Sequence, residues 1–193
     1  MWIEKLIFPV RRLLAPLLIS FGNCMNYQNP RFLCNIKNKF LTLAGLRIEN
    51  RALVSSGFQC LYPSNILLQD CVALGHYNRI WAFDQVIIGR YTQTARDLLV
   101  ISGSHDTSTY KPLDNQKVVI GQGCWIGARV TILGGVRIGK GCVIGAGAVV
   151  NKDIPDWSVA VGVPARIVHQ RESGDVILCP FGEYSPNDLE DII

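Results

Sequence analysis

The stretch from Ile120 to Asn151 reads IGQGCWIGARVTILGGVRIGKGCVIGAGAVVN, and cutting it every six residues puts an aliphatic at the head of each piece: Ile120, Ile126, Ile132, Ile138, Ile144 and Val150. Four residues behind each leader stands a second, mostly small apolar position, filled by Cys124, Val130, Val136, Cys142, Ala148 and Ile154. A leader every six residues with glycine behind it suits short strands joined by tight bends, because the leader points inward and glycine tolerates positive φ at a corner. An amphipathic helix would need apolar residues at i, i+3, i+4 and i+7, and Gly121, Gly127, Gly139 and Gly145 stand where those would fall. The segment is a β-solenoid.

Working outward, a weaker run in the same phase leads with Ile48, Val54, Cys60, Ile66 and Val72, and a third with Ile88, Thr94 and Val100. The register slips by four between Val72 and Ile88, which predicts a bulged corner over Gly75–Gln85. The polar stretch 105–117, with Pro112 and the Asp114-Asn115 turn pair, reads as a loop extruded from one coil. Loops on a rigid scaffold are where function concentrates. The expected division is a helical capping segment over 1–45, a β-helix domain over 46–168 and an acidic tail over 169–193.

Composition narrows the function. The chain has 193 residues, 49% hydrophobic and 18% charged, which describes a packed domain and excludes disorder as the main story. A net charge of +4 is too small an excess for a nucleic-acid protein. The first fifty residues carry seven bases against two acids, whereas 173–193 carries five acids and no base. Seven cysteines with no CxxC pair indicate neither a disulfide framework nor a zinc knuckle and fit a reducing cytoplasm. The apolar run Leu13–Phe21 is nine residues, far short of the ~20 that span a bilayer. Residues 1–22, broken at Pro9 and Pro16, therefore read as amphipathic helix that either caps the solenoid or makes a peripheral membrane contact, with capping the favoured reading.

The segment Ile120–Val168, together with SGSHD at Ser102–Asp106, resembles the hexapeptide-repeat acyltransferases, in particular the maltose, galactoside and exopolysaccharide O-acetyltransferases. The likeness is dense over 118–168, moderate over 86–106 and poor over 1–50. Val163 replaces a common asparagine and Gly134 a common proline. The resemblance implies a left-handed parallel β-helix, a homotrimer, and transfer of acetyl from acetyl-CoA to a sugar or other small-molecule hydroxyl. It places His105 as general base with Asp106 beside it, and Trp125 at the pantetheine and acceptor end. It sets Asn151, Lys152 and Arg166 toward the nucleotide end of acetyl-CoA.

The residues carry that chemistry on their own terms. Acyl transfer from a thioester needs a base for the acceptor proton, a donor for the oxyanion and a groove for the carrier. Histidine is the natural base, since its unperturbed pKa of ~6.5 leaves it largely neutral at cytosolic pH. Of the three histidines, His169 lies beyond the repeat and reads as surface, and His76 reads as a core residue or a second site residue. Trp125 falls between inward positions and should face outward, where a wet indole is costly. Gly127, Ala128 and Ala146 offer backbone amides with little side-chain cover. Three readings compete with O-acetylation: N-acetylation of an amino sugar or antibiotic, a non-catalytic scaffold, and a carbonic-anhydrase-like metal enzyme. The last needs three histidine ligands, and only His76 and His105 lie within the repeat, so no metal is expected.

Overall fold

A computed structural model describes residues 14–21, 31–114 and 116–172, and over them the chain is a parallel β-solenoid fronted by helix. The strands Arg47–Ile48, Ile66–Leu68, Val86–Ile88, Val118–Ile120 and Arg137–Ile138 stack into a first sheet. Ala52–Val54, Val72–Leu74, Gln93–Thr94, Trp125–Ile126, Val143–Ile144 and Ser158–Val161 form a second, and Gln59–Leu61, Arg79–Trp81, Leu99–Ile101, Thr131–Ile132 and Val149–Val150 a third. The chain visits the three sheets in rotation, so the prism has three edges where one sheet gives way to the next.

The strong hexads hold their register. Ile120 pairs with Ile138, Ile126 with Ile144 and Ile132 with Val150, eighteen residues apart, and all six are fully buried. Each contributes about 1.5–3 kcal/mol of apolar burial to a continuous stack. Cys124 and Cys142 fill the small inward positions at one corner, where their thiols donate to the carbonyls of Gly139 and Pro155, each at 3.0 Å. These cysteines are interior packing and corner hydrogen bonds.

The N-terminal coils differ from the expected phase. Ile48 pairs with Leu68, Val54 with Leu74 and Cys60 with Ile80, twenty residues apart, and Leu68, Leu74 and Ile80 lie in turn beneath the coil of Ile88, Thr94 and Val100. The single slip of four is therefore two slips of two. Both fall at the edge between the third and first sheets, one around the 3-10 turn Pro63–Asn65 and one over 82–85. Gly75–Gln85 is not one bulged corner, since it contains the regular strand Arg79–Trp81. Ile66 and Val72 misled the phase because both are fully buried although Leu68 and Leu74 are the stacked leaders.

At the N-terminal end the helix Arg31–Ala44 lies over the first coil, with Leu41, Ala44 and Leu46 joined to the core by Ala15 and Ile19 of helix 14–21. Residues 1–13 and 22–30, on which the membrane alternative partly rests, lie outside the described residues. At the other end Arg166–Gln170 turns back antiparallel to Ser158–Val161, and Arg171 donates to the Gly141 carbonyl while stacking over Trp157. The tail from 173 also lies outside the described residues.

Lys37 shows how closely the helix is seated. Its amine is buried and donates to the Ser55 carbonyl at 3.0 Å. Burial pulls its pKa from 10.5 down to about 8, despite the opposing influence of Cys34. The unfolded chain thus holds this proton to higher pH than the folded one, so stability from this group rises between about pH 8 and 10.5 and is reduced below that window. Lys37→Met should abolish the rise: in urea melts, the wild-type midpoint gains on that of the variant as pH climbs through the window. Parallel midpoint curves would show that the amine is not desolvated.

Candidate active site

The extruded loop leaves the edge between the third and first sheets. Ile88 pairs with Ile120, thirty-two residues on, and the surplus chain projects between Ile101 and Val118. Gly103 starts the exit beneath Phe83, where a Cβ would stand 2.8 Å from the ring, so a larger residue there would have to displace Phe83. The loop folds back as a small hairpin. His105 and Pro112 form an antiparallel bridge, Leu113 donates to the Ser104 carbonyl at 2.9 Å and Asp106 to that of Lys111 at 2.8 Å.

His105 is exposed on this hairpin, and its ring makes no hydrogen bond among the described residues. Asp106 is occupied elsewhere. Its Oδ1 accepts from the Thr109 amide at 2.7 Å, the Thr109 hydroxyl at 2.9 Å and the Ser108 amide at 3.0 Å. These bonds hold its carboxyl below the ordinary carboxylate range, the Thr109 amide contributing most. Asp106 therefore anchors the turn that presents His105, and its side-chain hydrogen bonds among the described residues go to Ser108 and Thr109 rather than to the imidazole.

Trp125 faces outward from the second sheet, 49% exposed, between Gln93 and Val143. Gly127, Ala128 and Ala146 lie together at the edge between the second and third sheets. The Gly127 amide is spent inside the solenoid, donating to the Ile144 carbonyl at 2.8 Å, and a Cβ there would stand 2.6 Å from the Ala146 nitrogen. Gly127 is thus a stacking requirement, which corrects its expected role as a donor. The amides of Ala128 and Ala146, on successive coils, take no acceptor among the described residues and are available to a ligand oxygen.

Asn151 and Lys152 are exposed on the same edge as His105, two coils further along. Arg166 is exposed where the chain turns back beside Val161, next to the edge that carries Ala146. One copy of the chain therefore does not gather its candidate residues. His105, Asn151 and Lys152 occupy one edge, Ala128, Ala146 and Arg166 another, and the third sheet separates them.

His76 stands on the second of these edges, part-buried, with Nδ1 2.9 Å from the Ser56 hydroxyl. That contact was invisible in the sequence, because it depends on the twenty-residue coil that stacks Ser56 under His76. His169 is exposed, as expected. Among the described residues no group of three or more His, Cys, Asp or Glu is placed to hold a metal, and no helix is long and apolar enough to cross a membrane.

The fold is a hexad β-solenoid of the acyltransferase class, with an exposed histidine on a projecting loop and free amides and cations on its exposed edges. Residues 117–152 match the family model described as bacterial transferase hexapeptide (six repeats). The chain is 30% identical over 178 residues to the putative lipopolysaccharide biosynthesis O-acetyl transferase WbbJ of Escherichia coli K12, covering 81% of this chain and 86% of that protein. It is 28% identical over 144 residues to the putative colanic acid biosynthesis acetyltransferase WcaF of the same organism, covering 74% and 79%. Among solved structures, a galactoside acetyltransferase in complex with coenzyme A superposes with a TM-score of 0.73 at 26% identity, covering 86% of this chain and 82% of that one. A maltose O-acetyltransferase from Clostridium difficile 630 gives 0.69 at 26%, covering 87% and 89%. The chain belongs to the hexapeptide-repeat acetyltransferase family.

Proposed function

We propose that the protein transfers acetyl from acetyl-CoA to a hydroxyl of a sugar or polysaccharide precursor, at a site built between two copies of the chain. The observation that carries this reading is the exposed His105 on its hairpin, set on a different edge from the free amides of Ala128 and Ala146. His105 takes the proton of the acceptor hydroxyl as its oxygen bonds to the thioester carbonyl. The tetrahedral oxyanion is met by the neighbouring copy's amides, donors fixed in place before the reaction begins. Collapse breaks the carbon–sulfur bond, and the departing thiolate of coenzyme A recovers the proton from His105. Among the described residues no Ser, Cys or Thr side chain is hydrogen-bonded to the His105 ring, which supports direct transfer over an acyl-enzyme.

The relatives' names support the reading: they speak of lipopolysaccharide, colanic acid, galactoside and maltose, all carbohydrate. A cyclic assembly, three copies in the family, supplies the second edge for every site. A cytoplasmic location belongs to the same proposal, since acetyl-CoA is made and spent there. The test is a screen of purified protein with acetyl-CoA against sugars, nucleotide sugars and polysaccharide fragments, read by thiol release and product mass. A mass gain on a hydroxyl is the expected result, and thiol release with no acetylated acceptor overturns the proposal.

Lys152 and Arg166 suit the phosphates of acetyl-CoA, a flexible cation and a forked one at the C-terminal end of the two edges. Replacing either by alanine should raise the acetyl-CoA dissociation constant about ten- to hundred-fold, the worth of one charge-assisted contact. Added salt should shrink the difference. Calorimetry at low and high salt checks both, and an unaltered constant at low salt removes the coenzyme from this end.

A further inference from the structure

Between helix 14–21, the end of helix Arg31–Ala44 and the first coil lies a cavity of about 670 Å³, walled by Ala15, Ile19, Phe58, Cys60, Leu61 and Tyr62. Its volume lies within the range of small-molecule sites, ~300–1,000 Å³. The surroundings are dry enough for burial to push the Cys60 thiol up to about 12. A free sugar gains little from such walls, whereas an aliphatic chain gains from every methylene it places there.

What adjoins the cavity follows the register of the third sheet toward His105. Gln59 and Leu61, at the mouth, pair with Arg79 and Trp81 on the next coil, and those with Leu99 and Ile101 on the one after. The Arg79 guanidinium has no ion pair or hydrogen bond among the described residues. Tyr62, 45% exposed, lies 5.7 Å from the ring of Phe83, 54% exposed, and Phe83 covers Gly103, two residues before His105. A cavity mouth, an unpaired cation and the hairpin base thus lie on successive coils. At a strand spacing of ~4.8 Å the span is about 10 Å, room for a phosphate and a sugar ring.

We infer that the acceptor is an amphiphile, a sugar joined through a phosphate to an aliphatic chain: the chain occupies this cavity, the phosphate meets Arg79 and the sugar reaches His105. This rests on the acetyl-transfer reading for the sugar's fate, though not for the chain's binding.

The experiment titrates the full-length protein, without acetyl-CoA, with farnesyl phosphate, farnesol, inorganic phosphate and anionic phosphatidylglycerol vesicles by calorimetry. Farnesyl phosphate should bind, inorganic phosphate should not, and Arg79→Ala should weaken farnesyl phosphate about ten- to hundred-fold while sparing farnesol. Ala15→Trp, which fills the cavity, should weaken both chain-bearing probes. Leu61→Glu, at an exposed mouth position that folding tolerates, serves if the tryptophan variant does not fold. Absence of farnesyl phosphate binding at millimolar probe, binding indifferent to all three substitutions, or binding to vesicles alone each overturns the inference. If farnesyl phosphate binds as expected but no acceptor is ever acetylated, the acetyl-transfer reading falls and the chain site stands.

Discussion

His105→Ala should lower turnover by about 10²–10⁴-fold, the usual worth of a general base and the role proposed for it, and should leave both the fold and acetyl-CoA binding in place. The separation of effects follows from where the residue stands. Its side chain is exposed and contributes nothing to the stack of aliphatic leaders, whereas the hairpin that carries it is held by backbone contacts at Pro112, Leu113 and Lys111 and by the Asp106 turn. None of those contacts is lost on truncation to alanine. Turnover is read by thiol release with a working acceptor, the acetyl-CoA dissociation constant by calorimetry, and the fold by a thermal melt. His76→Ala, which removes a part-buried ring bonded to Ser56, is the comparison. Unchanged turnover in His105→Ala would hand the base to another group and end the assignment.

The residues that encode the solenoid are local, and they were legible for that reason. A leader and its small partner recur within six residues, so the coils from Ile120 to Val150 declare their register without knowledge of any distant contact. The first coils did not, because Ile66 and Val72 are buried beside the true leaders Leu68 and Leu74, and apolar character alone does not separate them. Once that register slipped, everything that depends on vertical stacking slipped with it. Ser56 under His76, Tyr62 beside Phe83, and Arg79 above the cavity mouth all require the twenty-residue coil. Outward Trp125 lay in the well-phased part and its exposure was foreseen. The spent amide of Gly127 was not, since glycine at a corner reads the same whether its N–H points to a ligand or to the next coil. Nor does a linear sequence show that residues 105 and 128 belong to different edges, the separation on which the proposal of a shared site rests.

That separation gives the second large effect. His105→Ala disables the edge between the third and first sheets, and Ala128→Arg, placing a long side chain over the free amides, disables the edge between the second and third. Each variant alone should be nearly inactive. Co-expressed in equal amounts, they assemble at random, and an interface works only when His105 comes from one parent and Ala128 from the other. In a cyclic assembly this holds for half of one edge times half of the other, so about a quarter of wild-type activity returns from two dead parents. Ala146→Arg, one coil along, should complement in the same way and guards against a defect peculiar to residue 128. Differently tagged subunits recovered together by tandem purification establish that mixed assemblies are the species assayed. Mixed assemblies no more active than their parents would mean that both residues serve a site within one copy or none, and the shared-site geometry would have to be abandoned. Return of a quarter fits no single-copy site, because no chain in the mixture carries both an intact His105 and an intact Ala128.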